Sequence, residues 1–294
     1  MPELPDIVVY VERMGALLAD ATLNRVRIAN PFVLRSVDPA LAEIEGKKVR
    51  SFDRIGKRIV MCLEDDLYLV VHLMIAGRFR WRAPDAAIPK SNGLAAFDFD
   101  TGTLILTEAG RKRRASLHLV RGQDALAEFD RGGLEVLHAD LSDFRQAMLR
   151  ENHTLKRALT DQRVLSGIGN AYSDEILLRA KLSPFKQTNA LSSEDFARLF
   201  DATRSTLEEW TERLRIESAD GFPEGVTAFR DGMAVHGRFR KPCPVCGAPV
   251  QRIVYASNEC NYCARCQTGG KLLADRALSR LLKKNWPRRI EDIE

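Results

Sequence analysis

Six cysteines are few for 294 residues, and five of them lie between positions 243 and 266. Placement so uneven argues against a disulfide framework and predicts a reducing compartment with one metal site. No apolar run approaches the roughly 18 uncharged residues of a membrane-spanning helix. The opening stretch, MPELPDIVVYVERMGALL, lacks the basic start of a secretory leader and carries Glu3 and Asp6. Internal repeats and low-complexity segments are absent too. A soluble, cytoplasmic protein without membrane partners is expected.

A strong excess of one charge is also missing. Lys plus Arg number 45 against 40 Asp plus Glu, so the position of the cations matters more than their number for any polyanionic partner. They cluster at 47–58, 78–82, 111–114, 238–241 and 276–289, several times interleaved with Phe79, Trp81, Phe239 and Trp286. That is how a phosphate-binding surface reads, and equally how a solvated basic surface reads.

What is present divides the chain. Residues 5–19 place Ile7, Val8, Val11, Met14, Leu17 and Leu18 at helical spacing behind Pro5. Residues 22–120 then run as short strand-like segments broken by turn signals, predicting an antiparallel β-sandwich. From about residue 140 the period becomes helical, and the last and longest helical segment, 192–215, has Ser192 or Ser193 as its cap. Between two of these helices lies Ser166-Gly-Ile-Gly-Asn170, either a plain turn or a helix N-terminus presented to a phosphate. The fold class is therefore α+β. The expected domains are a β-sandwich with an N-terminal helix (1–135), a helical domain (140–235), a cysteine-rich module (236–270) and a helical extension (271–294). In the extension, Leu272, Leu273, Ala277, Leu278, Leu281 and Leu282 form a face that should pack, or else meet a partner.

The cysteine cluster contains two C-x2-C knuckles, Cys243/Cys246 and Cys263/Cys266, separated by sixteen residues, the pattern of a four-thiolate zinc ribbon. Cys260 with Cys263 is an alternative second knuckle. Four thiolates close the coordination shell, so one Zn2+ here would be structural, and any reaction belongs elsewhere.

MPELPD, GIGNAYSDE and VHGRFRKPCPVCG…NYCARCQ, in this order, resemble the formamidopyrimidine-DNA glycosylase and endonuclease VIII family. Leu4 resembles the formamidopyrimidine branch. The resemblance covers residues 1 to about 268 and implies a β-sandwich joined to a helix-two-turns-helix domain with a zinc-ribbon hairpin. It also implies a monomer that acts on double-stranded damaged DNA, a bifunctional glycosylase and abasic-site lyase of base excision repair. By this resemblance Met1 is removed, the Pro2 amine attacks C1′ of a flipped-out nucleotide, Glu3 supplies a proton, and Lys57 contacts phosphate and assists elimination. An α-amine suits that task because it titrates at about 7.7–8.0, leaving a useful neutral fraction near pH 7.

The same resemblance makes Asn170 and Lys156 phosphate-binding residues. The family's gap-plugging residues fall on Met74 or Ile75 and on Arg113 or Arg114, without the usual Phe in 108–114. A family Arg of the zinc hairpin is replaced by Asn258, and the lesion-capping loop shortens to about 217–232. These departures leave a second reading open: a non-catalytic or altered-specificity binder of damaged DNA on the same scaffold.

Overall fold

The computed structural model describes residues 1–110, 112–219, 221–226, 230–255, 258–274, 276–282, 285 and 287–293. Arg111, Lys283, Lys284 and Trp286 of the basic stretches lie outside the described residues, as do the side chains of Asn258, Ala277 and Leu278. The chain separates into two compact units, residues 1–131 with 210–227, and residues 132–209 with 228–294.

In the first unit, helix α1 (Leu4–Leu18) buries Leu4, Ile7, Tyr10, Met14 and Leu18, the i, i+3, i+4 stripe legible in the sequence. The strands are β1 (Thr22–Leu23), β2 (Arg25–Ile28), β3 (Lys47–Ile55), β4 (Arg58–Leu63), β5 (Leu67–His72), β6 (Gly77–Arg82), β7 (Gly93–Phe99), β8 (Gly102–Glu108) and β9 (Ser116–Arg121). They form two antiparallel sheets, ordered β1-β3-β4-β5-β9 and β2-β7-β8-β6. Alternate residues of both sheets, among them Leu69, Val71, Phe97, Leu104, Leu106 and Leu117, share one core. The opposite face of the five-stranded sheet gathers Val60, Tyr68 and Val70 under Leu126 of a short helix, α2 (Gln123–Ala127), which the sequence pattern did not predict.

Residues 210–227 cluster with this first unit although they follow helical segments of the second. Phe222 lies 5.7 Å from Tyr10 between ring centroids, Val226 is part of the sandwich core, and Arg215 pairs with Glu12 at 2.6 Å. These contacts explain why residues 210–227, within the expected 140–235 domain, group with the first unit.

The second unit carries α3 (Leu141–Leu149), α4 (Leu155–Thr160), α5 (Asn170–Arg179) and the first part of α6 (Ser193–Glu217). Ser192 caps α6: its hydroxyl accepts from Asp195 N at 3.1 Å while the Asp195 carboxylate accepts from Ser192 N at 3.2 Å. Strands β10 (Gln251–Tyr255) and β11 (Asn258–Tyr262) pair as a hairpin, followed by α7 (Ala264–Thr268) and α8 (Arg276–Leu282). The extension packs by its flanks: Leu272 and Ile290 join Ile253, Tyr262 and Ala264, and Leu273 N donates to the Tyr262 hydroxyl at 2.8 Å. Leu281 and Leu282, assigned to the packing face from their spacing, are instead exposed.

Candidate active site and four-cysteine centre

The amino terminus is placed by α1. Pro2 is buried, Glu3 is 2% exposed at the N-cap position, and Asp6 receives the Glu3 N–H at 2.8 Å, which fixes the entry of the chain into the helix. Met1 precedes Pro2, so the Pro2 nitrogen is an amide until Met1 is cleaved. Burial lowers the proton affinity of the terminal amine, Glu3 opposes that, and Arg78, Asp6 and Lys57 act on it in turn. Glu3, Arg78, Asp6 and Lys57 are thus all close enough to the amino terminus to act on its charge. Lys57 lies in the two-residue turn between β3 and β4 and is only 7% exposed.

His72, at the end of β5 and opposite Arg58 in the β4–β5 ladder, has its pKa lowered to about 4, mainly by burial and then by Arg58 and Lys57. It is neutral near pH 7. His72 did not stand out among the sequence motifs, and Arg78 appeared only as one residue of the 78–82 basic stretch.

Between β5 and β6, Leu73 O accepts from Gly77 N at 2.8 Å across a tight turn. A Cβ at Gly77 would come within 2.2 Å of that carbonyl, so only glycine closes this loop. Met74 is half-buried with φ +53, whereas Ile75 is 61% exposed at the tip. Of the two gap-plugging candidates, Ile75 is the one that projects. Arg113 and Arg114 are both exposed. Their loop is anchored by the buried Glu108 carboxylate, which accepts from Arg114 N at 2.8 Å and Ala115 N at 2.9 Å, while the Arg113 guanidinium donates to Ser91 O.

The arginines of β6 are more engaged than their phosphate-surface pattern suggested. Arg78, Arg80 and Arg82 alternate with Phe79 and Trp81, and Glu224 bridges Arg80 at 3.1 Å and Arg82 at 3.0 Å. The short 217–232 loop is thereby tied down on its described part.

In the second unit, Gly167 adopts φ +80 and Gln162 holds the turn before α5, accepting from Gly167 N at 2.9 Å and donating to Ile168 O at 2.7 Å. Asn170, half-buried at the start of α5, donates from Nδ2 to Glu259 O of β11 at 2.8 Å. Lys156 is 9% exposed, and its ammonium donates to Asn170 O, Ser173 Oγ and Asp174 Oδ1 at 2.6–2.7 Å. All three protons are used inside the protein, so Lys156 supports the Asn170 turn instead of standing ready for a phosphate. Asp174 also accepts from Asn261 N at 3.1 Å and pairs with His236 Nδ1 at 2.8 Å, and Glu175 accepts the N–H groups of Ala234, Val235 and His236. Two adjacent acids of α5 therefore fasten the segment that leads into the cysteine hairpin.

The ligand atoms of Cys243, Cys246, Cys263 and Cys266 all lie within 4.8 Å of one another, a set that could hold a metal ion. Gln267 locks the second knuckle, accepting from Cys263 N at 2.8 Å and donating to Leu182 O at 3.0 Å. Cys260 is outside the set: it is fully buried against Asp174, and burial pushes its thiol up. This resolves the alternative knuckle in favour of Cys263/Cys266. Asn258 opens β11 opposite Tyr255, and nearby Arg252 stacks on Phe239 at 4.4 Å and approaches Glu259 at 3.5 Å.

Comparison with known proteins agrees with this layout. Residues 1–115 match the model of the formamidopyrimidine-DNA glycosylase N-terminal domain, and residues 134–218 that of the formamidopyrimidine-DNA glycosylase H2TH domain. The chain is 35% identical to a formamidopyrimidine-DNA glycosylase of Thermus thermophilus over 282 residues, 92% of this chain and 100% of that protein. The crystal structure of the MutM (Fpg) protein of Thermus thermophilus superimposes with a TM-score of 0.77 at 33% identity, covering 90% of this chain and 98% of that one. The Lactococcus lactis Fpg in complex with DNA containing an abasic site shares the fold, with a TM-score of 0.80 at 24% identity over 90% of this chain and 99% of that one. Among the described residues no helix is long and apolar enough to cross a membrane.

Proposed function

The chain belongs to the formamidopyrimidine-DNA glycosylase family, and from that premise we propose that it is a bifunctional glycosylase and abasic-site lyase acting on oxidised or ring-opened bases in duplex DNA. The observation that carries this reading is the burial of Pro2 and Glu3 at the start of α1, next to a Met1 amine whose proton affinity burial lowers although Glu3 opposes it. An amine kept away from water loses its proton more readily, which is what a nucleophile at neutral pH requires, and removal of Met1 would leave the Pro2 amine one residue further into that environment.

Once Met1 is cleaved, the Pro2 secondary amine bonds to C1′ of the flipped nucleotide, and the glycosidic bond breaks with the base leaving as it gains a proton. Glu3 is placed to protonate the sugar ring oxygen as the ring opens, giving a cationic iminium. That cation draws electrons from the neighbouring C2′–H bond. Loss of the C2′ proton then expels the 3′ phosphate, and Lys57 offsets charge on the departing group. Ile75 fills the gap left in the duplex, with Arg113 or Arg114 beside it, and Asn170 supports a phosphate from the start of α5. The four cysteines would hold one structural Zn2+, keeping the hairpin that carries Asn258 in shape.

Borohydride reduction in the presence of abasic-site duplex should trap a covalent adduct of protein whose N-terminal mass shows Met1 removed. A correctly processed protein that binds lesion DNA but yields neither adduct nor strand cleavage would be the damage-recognition protein of the second reading, which Asn258 and the altered plug residues favour.

A further inference from the structure

Three carbonyl groups converge on Arg78. Its Nη1 donates to Gly77 O at 2.6 Å and Ile75 O at 3.2 Å, and its Nε donates to Val226 O. Ile75 is the projecting tip of the β5–β6 turn, and Val226 belongs to the shortened loop whose Glu224 is held by Arg80 and Arg82. Phe222 of that loop rests on Tyr10, which in turn meets Phe79 edge-on at 6.0 Å. Arg78 therefore joins the plug turn to the described part of the loop.

We propose that Arg78 is a positioning residue for the glycosylase reaction: its guanidinium clamps the Ile75 turn to the Val226 segment and brings a fixed positive charge near the amino terminus. One residue then sets both the seat of the damaged base and the charge around the nucleophile. This rests on the reading of Pro2 as the nucleophile.

The charged groups that act on the Met1 amine, one residue before Pro2, are Glu3 and Asp6 from the start of α1, Arg78 from β6 and Lys57 from the β3–β4 turn. The two acids favour the protonated amine and the two bases the neutral one. Arg78 keeps its charge at every pH of interest. Its carbonyl contacts have a separate effect. A guanidinium can serve three acceptors in a planar fork, which a lysine ammonium cannot reproduce, so Arg78→Lys keeps the charge and loses the clamp.

The experiment uses the full chain with Met1 removed, as wild type, Arg78→Lys and Arg78→Gln, each checked by thermal melting. Selective 15N-proline labelling reads the Pro2 amine titration by NMR without DNA. Arg78→Gln should raise the midpoint by about half a pH unit and Arg78→Lys should leave it in place. Single-turnover base release should fall roughly tenfold in both variants, because the loop is no longer clamped. Adduct formation on a preformed abasic site, measured above the amine midpoint, should stay within about twofold of wild type because there is no base to seat.

An unchanged amine midpoint in Arg78→Gln, or base release and trapping that fall together in step with melting temperature, would overturn the proposal. Base release at the wild-type rate in a folded Arg78→Lys would do the same. If wild type forms no adduct at all, the Pro2 reading fails instead, and the amine titration still tests the electrostatic role of Arg78.

Discussion

Asp174 and Lys156 form a buried ion pair at 2.6 Å, with the carboxylate fully enclosed. Burial alone would raise the Asp174 pKa, but Lys156 and His236 outweigh it and hold the carboxyl below its ordinary value. The pair joins α4 to α5, and the second carboxylate oxygen extends the link to His236 and to Asn261 of β11. The Asn170 turn and the cysteine hairpin therefore depend on the same acid.

Asp174→Ala should destabilise the protein by about 3–5 kcal/mol, because it strands the Lys156 ammonium in a low-dielectric site. Replacing both partners, with Lys156→Met added, should recover part of that loss. Denaturant unfolding of the single and double variants checks this. A single variant as stable as wild type would mean that the pair is not what holds the two helices together.

Much of the architecture was legible from sequence because it depends on local period and spacing. Short β-rich runs broken by turn signals marked the strands of the sandwich, and two C-x2-C knuckles marked the four cysteines whose sulfurs come together. What was not legible depends on partners far along the chain. Arg80 and Arg82 look like a phosphate stripe until Glu224, more than a hundred residues later, is seen between them. Asp174 and Glu175 look like ordinary helix acids, and nothing local announces that one binds Lys156 and His236 while the other caps three backbone amides. Lys156 was placed on the DNA for the same reason: its spacing is visible, but the acceptors that consume its protons are not.

His72 adds a pH dependence to folding. Its pKa in the folded protein is about 4, against about 6.5 for an unperturbed histidine, so between those values the unfolded chain binds a proton that the folded one refuses. Stability from this group is complete above about pH 6.5, declines as the pH falls and levels off below about 4. His118, also lowered by burial, adds to the same trend. His72→Gln should flatten the decline, as measured by denaturant midpoints at pH 7, 5.5 and 4. An equally steep decline in the variant would place the effect elsewhere.

The cysteine centre should be separable from the chemistry at the amino terminus. Removal of the metal by a chelator, or Cys263→Ser, should loosen the β10–β11 hairpin, raise the Kd for duplex DNA by at least about tenfold and leave the amine titration of Pro2 unchanged. Metal content by elemental analysis, DNA affinity and the 15N signal of Pro2 give the three readouts. Loss of the metal with full DNA affinity would show that the hairpin keeps its shape without it.

Asn258 bears on how far the reaction proceeds. A second elimination, at the 5′ side of the sugar, must expel another phosphate, and a cation on the hairpin would offset the developing charge there. Asn258 opens β11 and brings no charge to that position. Products of the first elimination should therefore predominate, and Asn258→Arg should shift them towards the doubly eliminated end, as read from the termini of cleaved, labelled DNA. A wild-type protein that already gives mostly the doubly eliminated product would require the cation to come from another residue.

Salt dependence distinguishes the two kinds of phosphate contact proposed. Asn170 is neutral and acts through a hydrogen bond at the start of α5, held in place by its own bond to Glu259 O. Lys57 carries a charge whose approach to a phosphate releases counterions. Asn170→Ala should raise the Kd for abasic-site DNA several-fold at every salt concentration and leave the slope of log K against log salt unchanged. Lys57→Gln should lower the magnitude of that slope by about 0.9, the increment expected for one lost phosphate neutralisation. If Lys57→Gln weakened binding with no change in slope, the largely buried lysine would be acting near the amino terminus rather than on a phosphate, and elimination rather than DNA affinity would be the place to look for its contribution.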